Sequence, residues 1–212
     1  GLNYALSLVE AWPEGRDLTL CMSPLMMRQG QGVQWESFLN KSITRSAKEK
    51  DPAEIELRLQ LGNLYRLQGR LPEAKNCLQK ALDLCEQYEV RTHYWALLNL
   101  LGHVARLSAQ SEEAMAYCQQ VLDEQSVSAP ERAEALNVMG FVAYDQRQWE
   151  EALGYFEQAL GLYRSLDDSY QIARMLNNRG LVLLRSGNLD KAQESYQEAF
   201  QQFQVVNDQA ES

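Results

Sequence analysis

Four stretches of the chain carry apolar residues in the same arrangement around a glycine. Leu61 and Tyr65 flank Gly62, Leu98 and Leu101 precede Gly102, Leu136 and Met139 precede Gly140, and Leu176 and Leu183 flank Gly180. At 100° per residue these positions share one helical face, while the polar residues between them fall on the other. The pattern predicts helices near 53–68, 91–108, 131–146 and 170–186. A second set, near 71–87, 111–125, 149–165 and 189–206, follows each of them after a short break.

The glycines recur every 38 to 40 positions. Twelve residues after each comes Ala74, Ala114, Ala152 or Ala192, and seven further on comes Ala81, Val121, Ala159 or Ala199. Small residues at fixed offsets on two consecutive helices let their backbones approach closely. The break between them reads QGRLPEA at Gln68 to Ala74 and SGNLDKA at Ser186 to Ala192. Gly69 and Gly187 suit the left-handed conformation that ends a helix, and Pro72 suits the first turn of the next. Each unit therefore reads as helix, tight turn, antiparallel helix. Asp51-Pro52-Ala53-Glu54 and Ser128-Ala129-Pro130-Glu131 have the form of capping boxes at two unit boundaries. Four hairpins are expected over 51–90, 91–128, 129–168 and 169–208.

A degenerate fifth hairpin precedes them within 1–50. Leu18 to Met26 aligns with Leu57 to Tyr65, and Ser23, Trp35 and Ser42 keep the offsets of twelve and seven. Trp35 stands where the other units have alanine, which predicts looser or re-angled packing there. Tyr4 to Glu10 resembles Lys80 to Glu86, the tail of a second helix, and Val206-Asn207-Asp208 resembles Leu166-Asp167-Asp168, which leads into another hairpin. These matches, with Gly1 in place of Met, suggest a segment of a longer array. The alternative is a pair of terminal capping helices shielding the last apolar faces.

Leu61-Gly62, Tyr65, Gly69, Ala74, Leu78 and Ala81 resemble the tetratricopeptide repeat signature. Met139-Gly140, Ala152, Phe156 and Ala159 do so too, as do Gly180, Gly187, Ala192, Tyr196 and Ala199. The resemblance covers roughly 16–207, with a unit longer than the family's usual ~34 residues. The longer form is similar to repeats in kinesin light chain and in the sensor regions of bacterial signalling ATPases and transcription activators. It implies an all-α, right-handed superhelical solenoid whose first helices line a concave groove that binds peptides, protein segments or effectors. Trp35 and Val121 in place of alanine, and Ala105 and Ala143 in place of an aromatic, depart from the signature.

With each first glycine as position 8, positions 2, 5, 9 and 12 would face such a groove. Position 5 is Asn99, Asn137 and Asn177, whose amides both donate and accept and so suit an extended peptide backbone. Those asparagines would equally bond a neighbouring helix or solvent. Asn63, Arg66, His103 and Arg106 make the first half of the groove polar, and the two arginines suit a carboxylate or phosphate, or else solvated surface or intrachain ion pairs. Phe141, Tyr144, Leu181 and Leu184 make an apolar stripe in the second half, suited to an anchor pocket or to packing between first helices.

Composition narrows the function. Formal net charge is -9, which opposes phosphate backbones and argues against direct nucleic-acid binding. Cys21, Cys77, Cys85 and Cys118 form no CxxC pair, which suits reduced thiols in a cytoplasmic setting. No apolar run approaches the roughly 20 residues of a membrane span, and the first residues show neither the basic segment nor the cleavage site of a signal peptide. His93 and His103 lack the partners of a metal site or a catalytic triad, and no GxxxxGK[ST] loop is present. Glu112-Glu113 and Glu150-Glu151 suit helix N-termini. The sequence thus points to a non-catalytic, cofactor-free module that binds a protein or peptide, within a larger regulator or adaptor. An effector-sensing region and a purely architectural scaffold are the alternatives.

Overall fold

A computed structural model describes residues 12–28 and 32–211. The side chains of 23–28, 32–33 and 207–211, Ser23 among them, are not described, and the helix tail expected at Tyr4 to Glu10 lies outside the described residues. Among those residues every regular element is an α-helix. In chain order these are α1 (Trp12–Arg28), α2 (Gly32–Glu49), α3 (Glu54–Leu67), α4 (Leu71–Gln87), α5 (Tyr94–Leu107), α6 (Ser111–Asp123), α7 (Ala129–Asp145), α8 (Trp149–Ser165), α9 (Ser169–Arg185) and α10 (Leu189–Glu211). The protein is an all-α helical repeat, as the spacing predicts.

The chain divides into two compact units, Gly1–Val104 and Ala105–Ser212. In the first, α3 and α4 form a hairpin. A β-carbon on Gly62 would meet Leu78 Cγ at 2.5 Å, so the glycine is what permits this approach. Gly69 reverses the chain at φ +74°. Trp35, in the alanine-equivalent position of α2, is completely enclosed, and so are Leu39, Leu57 and Leu78. On α1, the buried Thr19 hydroxyl donates to its own helix, at Gly15 O, over 2.7 Å.

The second unit carries two hairpins, α7–α8 and α9–α10, after α6. Its core is Leu136, Phe156, Leu160, Tyr163, Met175 and Leu176, with Ala133, Ala143, Ala152 and Ala159 at the close approaches. A β-carbon on Gly140 would stand 2.7 Å from the Phe156 ring, and one on Gly180 would stand 2.7 Å from the Tyr196 ring. The glycine at the helix crossing therefore makes room for an aromatic ring from the partner helix in both hairpins. Arg179 of α9 ties three helices together. It donates to Ser195 Oγ at 3.0 Å and forms ion pairs with Glu157 at 3.0 Å and Glu198 at 3.1 Å.

Helix starts follow local chemistry. The Ser128 box forms, with Glu131 Oε2 accepting from Ser128 Oγ at 2.8 Å and from Ser128 N at 3.4 Å. The Asp51 box forms only in part. Asp51 accepts from Ala53 N at 3.0 Å, but Glu54 is buried and pairs instead with Arg58 one turn on, at 2.6 Å. At the far end α10 continues to Glu211. Asn207-Asp208 therefore sit inside a helix, whereas Asp167, their counterpart region, turns the chain at φ +53°. Likeness of three residues did not carry the turn across, because Leu189–Glu211 has neither glycine nor proline to stop the helix.

Candidate functional site

The residues expected to face a groove lie on first helices, and each unit disposes them differently. In the first unit Asn63 and Arg66 are neighbours on α3. Asn63 Oδ1 accepts from Arg66 Nε at 3.1 Å and Nη2 at 2.8 Å. Asn99 on α5 is buried, with 4% of its surface exposed, and His103 one turn on is half-buried. A cluster that the repeat pattern did not flag joins α2 to α3. Glu36 accepts from Tyr65 Oη at 3.1 Å and pairs with Arg70 at 2.9 Å, and the Arg70 guanidinium covers the Tyr65 ring at 4.2 Å. Burial, with the Glu36 carboxylate adding to it, pushes the Tyr65 phenol above its ordinary pKa.

In the second unit, three side-chain contacts join the first helices α7 and α9 directly. Glu134 pairs with Arg174, Asn137 Oδ1 accepts from Asn178 Nδ2 at 2.9 Å, and Tyr144 Oη accepts from Arg185 Nε at 3.1 Å. Asn137 also donates to Glu134 Oε1 at 3.2 Å. It is thus Asn178, not Asn177, that meets Asn137. One residue turns a helical side chain by about 100°, and Asn177 points away from the seam and is exposed. Arg106 stands 4.9 Å over the Phe141 ring and pairs with Asp145 at 2.8 Å. Phe141 meets Phe156 edge-on at 5.2 Å and Tyr144 meets Trp149 at 5.6 Å. Leu181 is half-buried and Leu184 is 46% exposed.

Three residues outside the predicted positions gather at one end of α7 and α9. Arg147 in the α7–α8 turn, Trp149 at the start of α8 and Arg185 at the end of α9 enclose a depression of about 430 Å³ together with Tyr144 and Asp145. Arg147 occupies the turn position that Gly69 and Gly187 fill in two other hairpins, so an arginine there was a signal visible in the sequence. A second depression, about 620 Å³, lies on α10 between Leu184, Leu189, Tyr196 and Phe200, edged by glutamines.

Among the described residues no group of three His, Cys, Asp or Glu is placed to hold a metal ion. Burial raises the pKa of the Cys77, Cys85 and Cys118 thiols, Cys118 to about 12, which keeps them protonated. No described helix is long and apolar enough to cross a membrane.

The tetratricopeptide repeat family model matches residues 37–123 and 131–204. No curated protein matches the chain. Among solved structures, BtubC (BKLC) from P. vanneervenii is 21% identical with a TM-score of 0.67, over 96% of this chain and 82% of that one. The TPR-like repeats of a Podosopora anserina kinesin light chain are 15% identical with a TM-score of 0.65, over 90% and 95%. A Rap protein complexed with Competence and Sporulation Factor is 17% identical with a TM-score of 0.78, over 87% of this chain and 52% of that one.

Proposed function

Since the chain belongs to the tetratricopeptide repeat family, whose members commonly mediate protein–protein interaction, we propose that its second unit holds an extended peptide segment of another protein across α7 and α9. The observation that carries this reading is the α9 surface. Asn177, Leu181 and Leu184 stand at i, i+4 and i+7 on one face, and none of them is buried. An exposed amide in line with accessible leucines offers a hydrogen-bond partner for a peptide group and an apolar footing for its side chain. Alongside on α7, Asn137, Phe141 and Tyr144 repeat the spacing, and the three cross-links to α9 hold the two rows in register. The Rap structure, similar in fold and solved with a bound factor, supports a binding role. Asn63, Arg66, Asn99 and His103 hold the corresponding positions of the first unit and are proposed for the same role there. Arg106 belongs to the support of the site, because Asp145 and Phe141 engage it.

The test is selection of random short peptides on the full chain, followed by affinity measurement on Asn177→Ala, Leu181→Ala. This variant is expected to bind the selected peptides about tenfold more weakly with unchanged helicity by circular dichroism. Equal affinity would remove α9 from the site. An architectural role is favoured by one observation, the open apolar surface of α10 around Leu189 and Phe200. Light scattering that shows concentration-dependent self-association, lost in Phe200→Glu, would put that reading ahead.

A further inference from the structure

We infer that the depression bounded by Tyr144, Asp145, Arg147, Trp149 and Arg185 is a pocket for a carboxylate side chain of the bound peptide, an assignment that rests on the peptide-binding reading above. Two guanidinium groups, those of Arg147 and Arg185, line it. Arg106 pairs with Asp145 at 2.8 Å. Among the described residues neither Arg147 nor Arg185 forms an ion pair, and Arg185 spends its Nε on the Tyr144 hydroxyl, which leaves its terminal nitrogens as donors. With Arg106 and Asp145 cancelling, the pocket keeps two positive charges in a chain whose formal net charge is -9. Such a local reversal of sign draws an anion to one place on an otherwise repulsive surface.

The walls refine the choice of anion. Trp149 and Tyr144 stand edge to face at 5.6 Å and give an apolar side to a space of about 430 Å³, which suits the methylene stem of a glutamate. Asp145 contributes a carboxylate to the same wall. The two arginines are also held from opposite directions. Tyr144 anchors Arg185 from α7. The α7–α8 turn projects Arg147 from a left-handed backbone conformation at φ +61°, a position where Gly69 and Gly187 turn other hairpins at φ +74° and +87°. The pocket adjoins the α7 row at Tyr144, so an acidic residue near one end of a peptide lying on that row would reach it.

Terminally blocked glutamate, terminally blocked glutamine and inorganic phosphate are the probes, titrated separately into the full chain and followed by the amide and side-chain NMR signals. Blocked glutamate is expected to shift the Trp149 indole N–H and the Arg185 Nε–H saturably, and the neutral glutamine to leave them in place. In Arg147→Gln, Arg185→Gln, exposed side chains whose loss leaves the core intact, the shift disappears. Absence of a saturable shift, or its persistence in the double variant, would overturn the pocket. Tighter binding of phosphate than of blocked glutamate would overturn the carboxylate assignment. Failure of the peptide selection while blocked glutamate still moves Trp149 would defeat the groove reading and leave the pocket standing. Peptides that bind equally well to the double variant, with no excess of Asp or Glu over the starting pool, would do the reverse.

Discussion

Asn178 and Asn137 meet inside the α7–α9 seam, both buried, with one amide donating to the other at 2.9 Å. Removing one partner leaves a buried acceptor without a donor, so Asn178→Ala is expected to cost about 1–3 kcal/mol, read as a lower urea midpoint. Adding Asn137→Ala should cost less than the sum of the two single changes, because the second residue no longer has a bond to lose. The thiols give a second test at this scale. Cys77, Cys85 and Cys118 are buried with raised pKa values, while Cys21 is exposed. The thiolate is the reactive form, so at mildly alkaline pH only Cys21 should be alkylated rapidly by iodoacetamide, the other three following on denaturation in urea. Rapid modification of Cys118 in the native protein would contradict its burial. Sequence reasoning set the asparagine row on the first helices and named Asn177, whereas it is Asn178 that bonds Asn137. The two differ by a rotation of about 100°, and only the packing of α9 against α7 decides which enters the seam. For Arg106 the sequence left ligand contact and an intrachain ion pair both open, because its partner Asp145 lies 39 residues away, a separation that no local pattern encodes.

At the level of the helix the chain was far more legible. The ranges 71–87 and 149–165 expected for two second helices coincide with α4 and α8. Helix content follows from apolar periodicity and turn chemistry, and both are local. The glycine at the crossing was legible too, and the structure gives its reason: in two hairpins an aromatic ring fills the space a side chain would take. Gly140→Ala is therefore expected to destabilise by about 1–3 kcal/mol through overpacking against Phe156. Gly154→Ala, on the exposed side of α8 with nothing within 4 Å of the added carbon, should instead stabilise by up to about 1 kcal/mol through lower chain entropy in the unfolded state. Urea unfolding of the pair separates helix propensity from crossing geometry, and equal shifts would refute the packing argument. The end of α10 was the less legible part, since three similar residues without a helix breaker do not make a turn.

For the molecule as a whole, the all-α repeat architecture followed from offsets of twelve and seven residues, because close packing within each hairpin demands small side chains at fixed places, and the family followed from resemblance to its signature. The partition into two compact units within α5, between Val104 and Ala105, left no mark on that periodicity. The same regularity makes the open surface of α10 intelligible. On α8 the equivalent of Phe200 is Leu160, 1% exposed beneath α9, whereas Phe200 itself is 63% exposed. Tyr196 likewise repeats Phe156, and amides stand at Gln197 and Gln204 where α8 has Glu157 and Arg164. Helix α10 thus presents a female thread cut to the pitch of α9, with amides in place of two of the charges that α8 carries. An engineer who breaks α10 with a glycine turn and splices on another α9–α10 cassette would be adding a joint for which the receiving side already exists.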